Sequence, residues 1–113
     1  MLLAVGPLPD DPIAAAAAFH GEWVPRVLAA LDAGEAVVTL LFAPASHVHA
    51  GWREAAVQLL ARERTPARIN AIAGDDPGGI AATAAFIAGA PGFTGQYCVL
   101  DGTGAGEVVA STP

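Results

Sequence analysis

Histidine and glutamate side chains, which can transfer protons or bind metal ions, lie at short spacings in two segments of the chain. His47 and His49 precede Glu54, a combination that could ligate a metal. Two histidines at i and i+2 do not share a helix face, however, and the spacing places no third ligand, so we expect both at a surface or an interface. His20 and Glu22 could form an acid/base pair, although residues this close on a helix point apart.

Large apolar side chains at helical spacing form a second group of candidates. Such residues usually pack a core or anchor an interface rather than line a cofactor pocket. The candidate interface residues are Trp23, Val27, Val48, Trp52, Leu59 and Tyr97. Cys98 lies among apolar neighbours, which predicts a buried, inert thiol in a reducing, cytoplasmic setting. Asp101 is interpreted as a turn residue at a strand end rather than a catalytic carboxylate.

Composition restricts the possible partners. The chain has 113 residues, 5 basic and 11 acidic side chains and a formal charge of -6, which argues against nucleic acid and anionic membranes. Only 14% of its residues are charged, against about 25% in ordinary soluble domains, which suggests either a surface covered by other subunits or an Ala-rich composition inherited from a biased genome. The first residues lack the features of a signal peptide, and no apolar run approaches the ~20 residues of a membrane span. We therefore expect one soluble, unprocessed domain.

Helix and strand signals alternate along the chain. Asp-Asp-Pro at 10–12 and again at 75–77 predicts two helix starts, with Asp as the cap and Pro in the first turn. The first helix is expected over 12–32, ending at Gly34, with a kink or break at Pro25. Strands are predicted at 1–5, 35–42, 68–73 and 96–100, and further helices at about 46–64 and 77–88.

The second predicted helix has a periodic apolar pattern. The pattern consists of Val48, Trp52, Ala55, Ala56, Leu59 and Leu60, with Arg53, Gln58 and Arg62 elsewhere on the helical wheel. The element order predicts an α/β protein of about four parallel strands and three helices, arranged β-α-β-α-β-α-β. The whole chain, 1–113, is expected to form this single domain, with 102–113 as a flexible or partner-contacting tail.

Three segments resemble the short-chain dehydrogenase/reductase family. The run TGQYCVLDG at 94–102 is similar to the ending TGQ...VDGG of that family, and RINAIAG at 68–74 to its RVNAIAPG strand. The helix between Glu54 and Arg64 also resembles the one that follows the catalytic Tyr-x-x-x-Lys. The resemblance implies the second half of that fold, half of a Rossmann layer, beginning near its fourth strand and lacking the Gly-rich turn for the dinucleotide.

The residues of the family's proton relay are missing from the corresponding positions. The resemblance places Ala50 at the Tyr position and Glu54 at the Lys position, while Leu41 and Phe42 occupy the end of the strand where Ser is expected. The chain has no Lys, and Tyr97 is its only Tyr. A Tyr–Lys pair cannot form without a Lys to lower the pKa of the phenol. We therefore expect neither hydride transfer nor NAD(P) binding by this chain alone.

Two hypotheses from different classes follow. The first is a non-catalytic subunit that associates through its helices with a full-length short-chain dehydrogenase/reductase, which would carry any NAD(P), and supports its assembly or active site. The second is a small homo-oligomeric enzyme or ligand binder with a site between subunits, built from His20, Glu22, His47, His49 and Glu54. A third possibility is a truncated gene product without function.

Overall fold

The structure, a computed structural model, describes residues 1–100 and the backbone of residues 108–110. Four parallel strands alternate with three helical segments in this part of the chain, which confirms the predicted α/β order. The parallel strands are β1 (Leu2–Ala4), β2 (Val37–Phe42), β3 (Arg68–Ala73) and β4 (Tyr97–Leu100). They lie side by side in chain order, and the sheet ends on a short antiparallel strand, β5 (Val108–Ala110).

The first helical segment changes its hydrogen-bond pattern just before the predicted proline. It consists of α1 (Pro12–Ala18), a π-helical turn (Phe19–Trp23) and α2 (Val24–Asp32). The amide of Val24 bonds to the carbonyl of Phe19, five residues back, so the helix widens where Pro25 would otherwise clash with the preceding turn. Asp11 caps the start of α1 by accepting from the amide of Ala14 at 2.9 Å.

The remaining helices begin and end close to the predicted residues. A 3₁₀ turn (His47–His49) leads into α3 (Ala50–Glu63), and α4 spans Pro77–Ala88. Asp76 caps α4 by accepting from the amide of Gly79 at 2.8 Å. The end of α2 is closed by Gly34 at φ 103°, a left-handed conformation that glycine adopts without steric penalty.

One face of the sheet is covered by the first helical segment and α3. Inward-facing Val38, Leu40 and Phe42 of β2 belong to one core cluster with Phe19, Trp23, Val27, Ala56, Val57 and Leu60. The predicted pattern on α3 is wrong in part: Arg53, Ala56, Val57, Leu60 and Ala61 are its buried residues, whereas Val48, Ala55 and Leu59 are exposed. The sequence pattern places Arg53 on the solvent side of the helix because charged side chains are usually exposed.

The opposite face of the sheet is covered by α4 within the described residues. Ile87 and Thr83 of α4 are buried, and the Arg68 guanidinium donates to the carbonyls of Ile87 (2.8 Å) and Ala90 (2.6 Å) at the end of this helix. Asn70 is fully buried on β3, where its side chain bonds to Phe93 and Gln96 and fixes the connection to β4. These two polar residues of β3 have structural roles.

The edge strand β1 pairs only with β2 among the described strands. The Thr39 amide donates to the Met1 carbonyl, and the Val5 amide donates to the Leu41 carbonyl. Because backbone groups alternate in direction along a strand, those of Leu2 and Ala4 point away from the sheet. The segment 102–113, predicted as a tail, lies outside the described residues except for the backbone of β5, and Asp101 lies outside them as well. No described helix is long and apolar enough to cross a membrane.

Candidate functional site

Two neighbouring cavities open where the parallel strands end, the edge at which open α/β sheets bind ligands. The first, of about 390 Å³, lies between the loop after β1 (Gly6–Asp10) and the loop after β2 (Ala43–Ala45), and also contacts His49 and Arg53. The second, of about 520 Å³, lies between the loops after β2 and β3 and is also lined by Tyr97. We refer to them as the Arg53 cavity and the His47 cavity.

Arg53 is the charged residue buried at this edge. Only 5% of it is exposed, although it lies on a surface helix. Its Nη1 donates to the carbonyl of Ala43 at 3.0 Å and to the phenol oxygen of Tyr97 at 3.2 Å, while its Nε is buried without a hydrogen-bond partner. Both of these acceptors are neutral, so neither supplies the carboxylate that usually accompanies a buried arginine.

An aromatic cluster lies beneath the guanidinium. The Arg53 guanidinium carbon lies 4.5 Å from the centre of the Phe42 ring, within cation–π range. Phe42 in turn contacts the rings of Phe19, Trp52 and Tyr97, with ring centres 5.3–6.3 Å apart. These contacts offset part of the free-energy cost of burying the Arg53 charge, and they hold the guanidinium at the cavity wall.

His49 is buried in this cluster, whereas the sequence predicts a position at a surface or an interface. Its Nε2 lies 3.0 Å from the carbonyl of Asp10, and its Nδ1 lies 3.0 Å from the indole nitrogen of Trp52. The indole can only donate, so Nδ1 is the acceptor and Nε2 carries the proton that bonds to Asp10. Both nitrogens are therefore engaged, and this ring joins the β1 loop to α3 rather than offering a free ligand atom.

The other histidine and glutamate candidates do not join His49 in one site. His47 is exposed and lines the second cavity, with Asp75 and Asp76 across it. His20 and Glu22 are exposed, and their described contacts stay within their own helical segment: His20 with the carbonyl of Ala16 and Glu22 with Arg26.

Glu54 is half-buried on α3. Among the described residues, no group of three or more His, Cys, Asp and Glu side chains is placed to hold a metal ion.

Three of the six candidate interface residues pack inside the chain's own core. Trp23, Val27 and Tyr97 are buried, and Trp52 is half-buried against the aromatic cluster. Val48 and Leu59 are the exposed members, at 50% and 43%. Cys98 is buried as predicted, and burial raises the pKa of its thiol to about 11, which suppresses the reactive thiolate.

The family's relay positions lie at this edge but hold other side chains. Ala50 begins α3 and lines the His47 cavity, Glu54 follows one turn later, and Leu41 and Phe42 end β2. Methyl, isobutyl and phenyl groups cannot donate or accept a proton. The only phenol, on Tyr97, is buried and accepts a hydrogen bond from Arg53 instead of facing a substrate carbonyl through a lysine.

The starts of α1 and α4 at this edge do not fit the dinucleotide that the resemblance assigns to full-length members of the family. Such sites hold pyrophosphate with free amides at a helix N-terminus after a Gly-rich turn. Here Asp11 and Asp76 already accept amide hydrogens at the starts of α1 and α4, and their negative charge would repel phosphate. Pro7 and Pro9 in the loop after β1 have no N–H to donate. The starts of α1 and α4 therefore offer no pyrophosphate cradle.

Sequence reasoning missed Arg53. Its one usable signal is its place three residues before Ala56 and seven before Leu60, on the side of α3 that faces the sheet. One of its two hydrogen-bond acceptors, Tyr97, is 44 residues away, and only the fold brings the two side chains together.

Comparison with known proteins agrees with this geometry. A model of the family described as short chain dehydrogenase-like protein matches residues 3–100. No curated protein and no solved structure gave a significant match. The match covers all of the four parallel strands except Leu2, together with the three helical segments between them, so the chain belongs to the short chain dehydrogenase-like family.

Proposed function

We propose that this chain is a non-catalytic member of its family that associates with a full-length short-chain dehydrogenase/reductase and supports the assembly or the active site of that partner. The proposal rests on which residues occupy the positions that the resemblance assigns to the family's proton relay. The scaffold that holds them is formed, yet they contain Ala50, Glu54, Leu41 and Phe42. A chain that keeps the scaffold without the Ser, Tyr and Lys of the relay is suited to binding a partner rather than to moving hydride, because the Glu54 carboxylate cannot replace the ammonium that lowers the pKa of a phenol.

Exposed apolar side chains support association. Large hydrophobic residues that are more than a third exposed lie on every layer of the molecule: Met1, Leu2, Ile13, Val48, Leu59, Phe86 and Val99. Ile13 is 82% exposed on α1, and Val48 and Leu59 lie on the outer side of the α3 segment. Burying such groups against a partner is favourable by about 25 cal/mol for each Å² of apolar surface. The resemblance implies that these helices pair with those of a neighbouring subunit.

The sheet itself supports the same conclusion. β1 presents the outward backbone groups of Leu2 and Ala4 at an open edge, and Leu2 is 46% exposed. Unprotected edges of this kind are usually covered, because they can pair with other strands. On the face that carries α4, the sheet surface next to β1 is open beside Leu2, Val37 and Thr39. A second subunit would cover both.

The proposal assigns the cofactor to the partner. NAD(P) would bind to the full-length subunit, since the helix starts described above carry acidic caps. Cytoplasmic location is proposed with it, supported by the single buried thiol and its raised pKa.

Isothermal titration of the chain into purified full-length reductases from the same genome tests the interface. We expect one of them to bind, and Leu59→Glu to weaken that binding at least about tenfold, because a carboxylate would be buried against apolar surface. Gln58→Glu is the matched control, since it adds the same charge at the neighbouring position and should leave affinity unchanged. Equal binding by both variants would contradict the α3 interface.

A direct assay tests the catalytic half of the proposal. The isolated chain should not oxidise NADH or NADPH with a panel of ketones under conditions in which a full-length reductase does. Turnover that survives repurification and follows the concentration of this chain would refute the non-catalytic assignment. If the chain instead forms a stable homo-oligomer whose ligand binding requires His47, the alternative of a site between subunits is favoured.

A further inference from the structure

The Arg53 cavity has the construction of a binding site for a small anion, independently of any partner subunit. It is a partly open cleft that combines apolar side chains with one buried charge. Its volume of about 390 Å³ falls within the range of small-molecule sites, and its position at the carboxyl ends of β1 and β2 is where open α/β sheets bind ligands. The charged group at its wall is the guanidinium of Arg53. Only 5% of this residue is exposed.

The hydrogen bonds of Arg53 leave one edge of the guanidinium for a ligand. Nη1 is engaged by Ala43 and Tyr97, whereas Nε has no partner and no described hydrogen bond involves Nη2. The Nε–Nη2 edge presents two parallel N–H groups, the geometry that binds the two oxygens of a carboxylate. Because Nε is sealed from solvent, neighbouring side chains must shift slightly before a ligand can bond to it.

The arginine is difficult to explain by stability. A buried charge hydrogen-bonded to neutral groups is costly, and an apolar residue of similar size is often neutral or stabilising at such a position. The aromatic contacts with Phe42 reduce that cost without removing it. Retaining the charge is therefore more consistent with a role in binding.

The other residues of the cavity define the ligand. Val5, Leu8 and Phe42 provide apolar walls. One cation is balanced by one negative charge, and Asp10 at the wall disfavours a second. His49 has both ring nitrogens engaged, by Asp10 and Trp52, so it offers the ligand no free donor. We propose that this cavity binds a small monocarboxylate with an apolar body, held by the Nε–Nη2 edge of Arg53.

Matched probes test the proposal on the intact chain. Sodium hexanoate is titrated into ¹⁵N-labelled protein at neutral pH, with hexanol as the uncharged probe of the same body and inorganic phosphate as the multiply charged one. We expect hexanoate to shift the amides of Leu8, Asp10, Ala43 and Ala45 and to bind at least about tenfold more tightly than either control. Equal binding of hexanol, tighter binding of phosphate, or no change at these amides would overturn the proposal.

Two variants assign the effect to the guanidinium. Arg53→Met should fold with a melting temperature similar to or above that of the native chain, and should lose hexanoate affinity at least about tenfold. Arg53→Lys keeps the charge but removes the bidentate Nε–Nη2 edge, so it should bind hexanoate weakly. This variant provides the test if Arg53→Met does not fold. Arg62→Met on the exposed side of α3 is the control and should bind like the native chain. Unchanged affinity in Arg53→Lys and Arg53→Met would overturn the assignment.

Discussion

Replacing Tyr97 with phenylalanine tests whether the buried charge of Arg53 depends on the phenol. The change deletes one oxygen and keeps the ring, which packs 6.3 Å from the centre of Phe42. That oxygen lies 3.2 Å from Nη1, and after its loss Nη1 retains only the carbonyl of Ala43. A hydrogen bond to a charged group contributes roughly 1.5–3 kcal/mol. We expect the free energy of unfolding to fall by about 2 kcal/mol.

Urea and thermal denaturation measure this loss. For a domain of this size, about 2 kcal/mol corresponds to a melting temperature lower by about 8 °C, with an unchanged urea m-value. Glu22→Gln is the control, because it breaks the exposed ion pair with Arg26 at 3.4 Å and should change stability by less than about 0.5 kcal/mol. If Tyr97→Phe is as stable as that control, the phenol does not support the buried charge, and our description of the cluster is wrong.

Three further changes have expected outcomes. Gly21→Ala should stabilise the fold by about 0.5–1 kcal/mol in urea denaturation, because Gly21 lies within a helical segment with open space around its missing Cβ. Gly74→Ala should destabilise it by about 1–3 kcal/mol in the same assay, because its Cβ would lie 2.7 Å from Leu100 Cδ1 and 2.9 Å from Leu100 Cβ. Cys98 makes stability depend on alkaline pH: its pKa is about 11 when folded and 9.0 otherwise, so the unfolded chain releases the proton first and stability falls as pH rises from 9 towards 11. Cys98→Ala should remove that part of the pH dependence, and an unchanged slope would contradict it.

The sequence predicts much of the fold because its boundary signals are local. Asp76 and Pro77 define the start of α4 through a side-chain cap and a fixed backbone angle, and both act within one turn. Pro25 predicts a kink or break for a similar reason. The chain forms a π-helical turn there rather than two separate helices. The parallel order follows from the alternation of strands and helices, which leaves few other arrangements.

The candidate site was predicted poorly because its contacts join distant segments. His49 was expected at a surface, but Asp10 and Trp52 bond to both of its nitrogens and bury it. Arg53 was assigned to the polar side of α3, and its burial depends on Ala43 and Tyr97. Polar residues enter a core only where partners complete their hydrogen bonds, and periodicity along one helix carries no information about partners on other elements.

The molar mass of the assembly in solution tests the central claim most directly. Light scattering is measured on the chain mixed with each full-length short-chain dehydrogenase/reductase encoded in the same genome, at micromolar concentration and near-physiological salt. We predict that one mixture gives a single species whose mass contains both chains in a fixed ratio. A chain that remains a well-behaved monomer in every mixture would contradict the account.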